Sequence, residues 1–158
     1  MLHINRAVKA IRRNDFESLK ELMEKDPSVH KSGARKPVLF FAIKYRKSAC
    51  LHAIVNDPGF DQAYRACGTA DVLHWFMEYF NVDVFNAWKD SKYYKDRHIH
   101  LILIWATMHN WRNIPANTPV IRRVLSLGAN PDYKGTLYSM SAREYATKFE
   151  CPCLSLFR

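Results

Sequence analysis

A helical pattern that recurs every thirty to forty residues is the feature of this sequence that most limits its fold. The pattern is marked by Ala10, Ala42, Phe76, Ala106 and Ala146, at steps of 32, 34, 30 and 40 residues, with KPVLFF ahead of Ala42, HLILIW ahead of Ala106 and SMSAREY ahead of Ala146. A period of this length is typical of proteins that stack short helix pairs. We therefore expect an all-α chain built from repeated pairs of short antiparallel helices.

The predicted helices have clear ends. Asp15 is placed to cap a helix that Asp26-Pro27 then ends. The stretch SACLHAIV is predicted to form another helix, which stops at Asp57-Pro58-Gly59. In VIRRVLSLGANPD, residues 120–132, Gly128 is free to adopt the left-handed conformation that ends a helix. Helix pairs of this size cannot bury their apolar faces alone, so each pair must dock on the next.

These motifs resemble those of ankyrin-repeat proteins. VIRRVLSLGANPD is similar to the Leu-x-x-Gly-Ala ending of that repeat, and SAREYA at 141–146 is similar to a degenerate form of its opening. VLHWF at 72–76 keeps the Leu-His pair of the opening, and PVLFFA at 37–42 keeps its Leu and Ala. The third repeat departs from the pattern, because Phe76 stands where a small residue is expected.

The resemblance covers about residues 4–149 and implies an ankyrin-repeat-like solenoid. We expect about four repeats plus a terminal half-repeat, which together form a single domain of residues 1–150. The chain length also favours one domain. Residues 151–158 would form a C-terminal tail or cap. An irregular helical bundle is the alternative that the weaker repeats leave open.

Positive charge is concentrated at the N-terminal end. Residues 1–50 carry twelve lysines and arginines against five acids, residues 51–110 carry five against seven, and residues 111–158 carry seven against three, which gives the chain a net charge of +9. This imbalance favours an acidic partner, which could be a protein surface, nucleic acid or anionic lipid. Charge alone does not distinguish among these classes.

Targeting and redox features favour the cytoplasm. The longest apolar run, LILIWATM at 101–108, is too short to cross a bilayer, and no apolar segment follows the N-terminal basic residues as it does in a signal peptide. The acid-free first fourteen residues resemble a transit peptide only faintly. The four cysteines lack the spacing of a disulfide-rich domain. We expect a cytoplasmic monomer with no membrane span.

Patterns for catalysis are weak. The five glycines are isolated, so the chain has no glycine-rich phosphate loop. Cys50 and His52 are two residues apart, which on a helix directs their side chains about 200° apart. Asp15 and Glu17 are better explained as charges at a helix start. We predict that the protein is not an enzyme and has no cofactor.

Several histidines and cysteines suggest a metal site only loosely. His98, His100 and His109 could supply three zinc ligands, with Cys151 or Cys153 as the fourth. The simpler interpretation places His98 and His100 in an extended loop that faces solvent or a partner. The two cysteines could instead carry palmitate, while the tail around them packs as a cap. We predict no bound metal.

The resemblance also implies where a partner would bind. Ankyrin-repeat proteins use their loop tips and the exposed positions two and three residues after the small residue of each inner helix. Two aromatic residues, at 45 and 111, are further candidates for exposed contacts. Carried over position by position, these criteria predict the partner-binding residues Arg12, Arg13, Lys36, Lys44, Tyr45, Tyr79, His98, His100, Met108, His109 and Trp111.

The sequence therefore predicts a non-enzymatic protein-interaction module that binds an acidic protein through the concave face of an ankyrin-like solenoid. One alternative is a nucleic-acid-binding protein that uses the basic N-terminal repeats, with KYYK at 92–95 as a weak stacking motif. Another is a host-directed effector of the kind that pathogens and viruses deliver into host cells. In that case the partner would engage the longer connection at 109–120, because insertions in solenoids are often functional.

Overall fold

A computed structural model describes residues 2–31, 36–110, 114–135 and 138–158 of the chain, and these residues form helices and connecting turns without a β-strand. The prediction of an all-α fold is confirmed for them. The α-helices are α1 (Leu2–Arg13), α2 (Phe16–Lys25), α3 (Val38–Lys44), α4 (Ser48–Val55), α5 (Phe60–Cys67), α6 (Thr69–Glu78), α7 (Val82–Lys89), α8 (Arg97–Asn110), α9 (Ile114–Ser126) and α10 (Ala142–Lys148). Two 3-10 helices span Pro27–Lys31 and Pro152–Phe157.

The chain divides into two compact units, an N-terminal unit of Met1–Tyr94 and a C-terminal unit of Lys95–Arg158. In the N-terminal unit the helices contact each other in two rows. One row runs from α1 through α3 to α6, and the other runs from α2 through α4 to α7. The helices α1 and α2 also pack as a pair, as do α3 and α4. Ile11, Leu19, Ile43 and Ile54 are fully buried, so each pair hides its apolar side against the next.

The C-terminal unit is built around α8. This helix pairs with α9 and also contacts α10, while the 3-10 helix Pro152–Phe157 packs on α9 and α10. Cys151, Cys153 and Phe157 are buried there. Residues 151–158 therefore contribute apolar side chains to the interior of this unit.

Three helices end with the same backbone geometry. Ala10, Ala42 and Ala146 mark the sequence repeat, and the residue four positions after each of them has a positive φ. These residues are Asn14 (57°), Arg46 (58°) and Glu150 (50°). The next amide N–H donates to the carbonyl oxygen of that alanine, in the pairs Asp15–Ala10 (2.9 Å), Lys47–Ala42 (2.9 Å) and Cys151–Ala146 (2.8 Å). Such a bond over five residues is one of the two that close a helix in the Schellman motif. The alanines that mark the sequence repeat thus accept the same helix-ending bond.

Gly128 ends α9 as the sequence predicts. Its φ is 93°, and the N–H of Ala129 donates to the carbonyl oxygen of Val124 at 3.0 Å. The N-terminal predictions of helix limits are also confirmed. Asp15 caps α2 by accepting the N–H of Ser18 at 3.0 Å, and SACLHAIV forms α4.

Replacing Gly128 by alanine is expected to lower the free energy of unfolding by about 1–2 kcal/mol, because a Cβ atom is strained at positive φ. No heavy atom lies within 4 Å of that Cβ, so the loss would come from the backbone alone. Urea unfolding followed by circular dichroism measures it. Gly128→Asn is the control, since asparagine tolerates this conformation better than alanine does. An equal loss in both variants would contradict this explanation.

Two features of the helices differ from the sequence prediction. The segment 60–67 forms α5, which was not predicted, because Phe60 and Ala63 pack inward and Gly68 ends the helix with a φ of 79°. His98 and His100 were predicted to lie in an extended loop, and this was wrong: both belong to the first turn of α8.

Candidate functional site

Five of the predicted contact residues come together in the N-terminal unit, on α1, α3, α6 and the residues that flank them. They form one surface with three aromatic residues that were not predicted as contacts. We call this surface the basic–aromatic face, and its members are Arg12, Lys36, Phe40, Phe41, Lys44, Tyr45, Trp75 and Tyr79.

Arg12 and Tyr45 form one end of the basic–aromatic face. The Arg12 guanidinium lies 5.0 Å from the centre of the Tyr45 ring and donates a hydrogen bond to its hydroxyl oxygen at 2.7 Å. The Tyr45 ring in turn stacks on Phe41, with 6.2 Å between the ring centres. Arg12 itself is exposed. The tyrosine therefore holds an exposed cation of α1 in a defined position against α3.

Phe40 lies at the centre of the other end. The Lys36 and Lys44 ammonium groups lie 4.9 Å and 5.7 Å from the centre of its ring. Lys36 is also 5.3 Å from the Trp75 ring, and Lys44 is 5.9 Å from the Tyr79 ring. Each such cation–π contact contributes about 0.5–1 kcal/mol at an exposed site. Lys36 and Lys44, four residues before and four residues after Phe40, thus both lie over its ring, and α6 adds a second ring beside each of them.

The three cations keep their charge available. Among the residues that the structure describes, no ion pair within 4.0 Å joins Arg12, Lys36 or Lys44 to a carboxylate. The nearby acid Glu78 interacts with Tyr79, and its hydrogen bond raises the pKa of the Tyr79 hydroxyl. The basic–aromatic face is therefore positively charged. Its cations lie over a layer of aromatic rings, which we call the aromatic floor.

The aromatic floor is mostly covered. Phe40 is only 8 % exposed and Trp75 only 4 % exposed. Phe40 meets Trp75 edge to face at 5.4 Å, and Tyr79 in the same manner at 5.9 Å. A nucleobase needs an open ring face on which to stack. This floor orders the cations above it and offers little open ring surface of its own.

The side chain of Arg13 points away from the basic–aromatic face that contains Arg12. It lines a groove between α1 and α2, together with Arg6 and Lys9. Consecutive residues on an α-helix point about 100° apart, which accounts for the separation. The predicted pair Arg12 and Arg13 is therefore divided between two surfaces.

The remaining predicted contacts lie in the C-terminal unit or outside the described residues. Met108 lines a small cavity of about 60 Å³ beside Tyr138 and Tyr145. His109 is exposed, and its Nδ1 lies 2.8 Å from the carbonyl oxygen of Trp105. Trp111 falls outside the described residues, as does the part of the 109–120 connection at 111–113, whereas α9 begins at Ile114.

The two histidines in the first turn of α8 have structural contacts. His98 is 1 % exposed, so the prediction that it faces solvent or a partner was wrong. Its burial, with the charges of Arg97 and Lys95, lowers its pKa to about 4. His100 is half-buried: its Nδ1 accepts the N–H of Asn130 at 3.0 Å, and its ring lies 4.6 Å from that of Tyr133.

The aromatic members Phe40, Phe41 and Trp75 were missed as site residues. A signal was present, because Phe40 stands four residues before Lys44, and Phe41 four residues before Tyr45. Residues four apart meet on one side of a helix. Trp75 and Tyr79 have the same spacing on α6 and its end.

The described residues that could carry catalysis or bind a metal are held in structural contacts or lie apart. No group of three histidine, cysteine or acidic side chains there is placed to hold a metal ion. Burial raises the pKa of Cys50 to about 11, which keeps its thiol protonated at neutral pH. His30 and Asp57 form a close pair, with 2.7 Å between Nε2 and Oδ1, but His30 is fully buried. Asp57 also accepts the N–H of Gly59 at 2.8 Å, so the pair holds a turn in place.

Within the described part of the chain, no helix combines the length and the apolar character needed to span a membrane. Comparison of the chain with protein-family models, curated protein sequences and solved structures gave no match.

Proposed function

We propose that this chain is a non-enzymatic protein-interaction module whose basic–aromatic face binds an acidic segment of a partner protein. The observation that carries the proposal is the set of three cations held over aromatic rings without a neutralising carboxylate within 4.0 Å among the described residues. The four cysteines are free thiols, which fits the reducing cytoplasm as the setting.

The chemistry of the face suits a protein partner. Arginine and tyrosine, which the face presents in Arg12, Tyr45 and Tyr79, are among the residue types that most often dominate binding energy at protein interfaces. Ordering a long side chain on binding costs about 0.5–1.5 kcal/mol. The contacts of Arg12 with Tyr45 and of Lys44 with Phe40 reduce this cost, because both cations are already positioned on short, packed helices.

We further propose that the helix pairs form an ankyrin-like solenoid. The two rows of contacts in the N-terminal unit and the shared ends after Ala10, Ala42 and Ala146 support this arrangement. In the ankyrin pattern, α1, α3 and α6 would be inner helices, and their exposed side would be the binding surface. The additional helix α5 and the fourteen-residue α8 are departures from that pattern.

Nucleic-acid binding is the second candidate, because twelve of the cations lie in residues 1–50. Two observations weigh against it. The Phe40 and Trp75 rings are covered, and Tyr93 of the KYYK segment is buried, with its hydroxyl donating to Asp61. A phosphate-binding mode would also make affinity fall steeply with salt, in proportion to the number of phosphates contacted.

Reversing the charge of the face should abolish partner binding. We expect Arg12→Glu/Lys36→Glu/Lys44→Glu to lose a discrete protein that the unaltered chain captures from cell lysate, with affinity at least about tenfold weaker, since each hot-spot residue contributes more than about 1 kcal/mol. The matched control is Lys89→Glu/Arg122→Glu/Arg123→Glu, which changes net charge equally at exposed positions elsewhere. Circular dichroism of each variant verifies folding.

Nuclease treatment separates the two candidates. Capture that persists after nuclease and is lost only in the face variant supports the proposed function. Capture that disappears with nuclease would replace it by nucleic-acid binding. A protein retained by both variants would place the interface elsewhere, and residues 109–120, predicted as a connection but largely belonging to the end of α8 and the start of α9, would then be the next segment to alter.

A further inference from the structure

A second basic surface lies between α1 and α2 and is separate from the basic–aromatic face. It is a groove of about 350 Å³, and the described residues that line it belong to these two helices and the turn between them. We call it the α1–α2 groove. On the other side of α1, Ala7 and Ile11 are fully buried against the unit. The groove therefore lies on the free side of the first helix pair.

One wall of the α1–α2 groove is a row of three cations. Arg6, Lys9 and Arg13 are spaced three and four residues apart, so they lie on one side of α1. All three are exposed. In the described part of the chain, no carboxylate pairs with them within 4.0 Å, and α1 itself contains no acidic residue.

The acids of the opposite wall are already engaged. Asp15 accepts both the N–H of Ser18 at 3.0 Å and its hydroxyl at 2.7 Å, and these bonds lower the pKa of the Asp15 carboxyl. Glu21 pairs with Lys25 at 3.6 Å. Both acids keep their negative charge, and the Asp15 carboxylate also interacts electrostatically with Arg13, so the groove has a row of cations on α1 and two acids on its opposite side.

We propose that the α1–α2 groove binds an acidic amphipathic helix of a partner protein. Arg6, Lys9 and Arg13 follow each other along α1 at steps of about 4.5 and 6 Å. Carboxylates three and four residues apart on a docked helix repeat these steps. Side chains on one face of an extended strand repeat at about 7 Å and would fall out of step. Ala10 and the half-buried Leu22 leave an apolar floor for one leucine of the ligand.

The same groove is less suited to nucleic acid. Asp15 and Glu21 lie within it and would repel the evenly charged phosphate backbone. A helix with both glutamates and a lysine is able to place the glutamates opposite the row on α1 and the lysine opposite these two acids. The mixed charge of the groove therefore favours a protein helix.

A defined peptide tests this proposal directly. The probe is a labelled, helix-forming peptide of about fifteen residues with glutamates at positions i, i+3 and i+7 and a leucine at i+4. A second peptide has the same composition with the glutamates spaced two residues apart. Fluorescence anisotropy with the full chain is expected to give at least tenfold tighter binding of the first peptide. Arg6→Glu/Lys9→Glu/Arg13→Glu should weaken it at least tenfold.

Further variants keep the result separate from the function of the basic–aromatic face. Arg12→Glu/Lys36→Glu/Lys44→Glu and Lys89→Glu/Arg122→Glu/Arg123→Glu should both retain the helical peptide. Arg6→Gln/Lys9→Gln/Arg13→Gln removes the three cations without adding acids. It should also weaken binding of the peptide, and it is less able to disturb folding than the glutamate variant. Equal binding of the two peptides, or unchanged binding in the groove variants, would overturn the proposal. So would tighter binding of a single-stranded oligonucleotide of equal charge.

Discussion

Replacing Phe76 by alanine is expected to lower the free energy of unfolding by about 3–5 kcal/mol, which is the usual loss when a buried phenylalanine is truncated. Phe76 is 0 % exposed. Its ring meets Phe85 edge to face at 5.6 Å and lies 5.9 Å from the ring of Trp88. The repeat pattern places a small residue here, so the substitution would bring the sequence closer to that pattern while opening a cavity between α6 and α7.

Urea unfolding of Phe76→Ala beside Phe16→Ala measures this effect. Phe16 is 37 % exposed, so its removal should change the unfolding free energy by less than about 1 kcal/mol. A loss below about 1 kcal/mol in Phe76→Ala would mean that the surrounding rings close the gap. In that case the large side chain would not be needed to compensate for the irregular third repeat.

The unfolding free energy is also expected to fall by about 2–3 kcal/mol as pH decreases from 6.5 to 4, owing to His98 alone. Its pKa is lowered to about 4 by burial and by the neighbouring charges of Arg97 and Lys95. In this interval the unfolded chain binds a proton at position 98 and the folded chain does not. The loss of unfolding free energy due to His98 is therefore small above pH 6.5 and grows progressively as the pH falls toward 4.

His98→Asn provides the test of this pH dependence. The Nδ1 of His98 accepts the N–H of Lys95 at 3.1 Å, and an asparagine oxygen is placed to accept the same bond without titrating. We expect the variant to lose less stability than the unaltered chain between pH 6.5 and 4 in urea titrations at fixed pH. His52→Asn is the matched control, because His52 is exposed on α4. Identical pH profiles for His98→Asn and the unaltered chain would contradict the assignment.

Elements with strong local signals were predicted correctly from the sequence. The Asp15 cap, the helix SACLHAIV and the left-handed Gly128 each depend on a few neighbouring residues. Such signals need no knowledge of the tertiary contacts. They were enough to predict the helical class and the ends of several helices.

The elements that were missed depend on packing or were hidden by the repeat pattern. Phe60, Ala63, Tyr64 and Cys67 have the spacing of an amphipathic helix, but the ankyrin pattern places a loop there. The start of α8 could not be located because His98 is a polar residue at a buried position. Burial of a histidine is decided by its tertiary neighbours, and the sequence around it does not reveal them.

The charged residues of the candidate site were predicted better from the sequence than the way in which they are grouped. Arg12, Lys44 and Tyr45 were named from the repeat spacing, and they lie together on the basic–aromatic face. The separation of Arg13 into the α1–α2 groove follows from helix geometry, but the resemblance had grouped it with Arg12. The contacts that bring Trp75 and Tyr79 to Phe40 require the packing of α6 on α3, which depends on the tertiary structure.

The two rows of helix contacts in the N-terminal unit have a consequence for how this unit folds. The contacts within each row join a helix pair to the next pair along the chain, at sequence separations of about thirty residues. When each helix pair contacts only its neighbours, folding is able to begin at one pair and to spread by adding the next. The pair of α3 and α4 contacts both neighbouring pairs, so it is the expected nucleus. The first pair, which carries the α1–α2 groove, would then be among the last parts to dock and the first to detach.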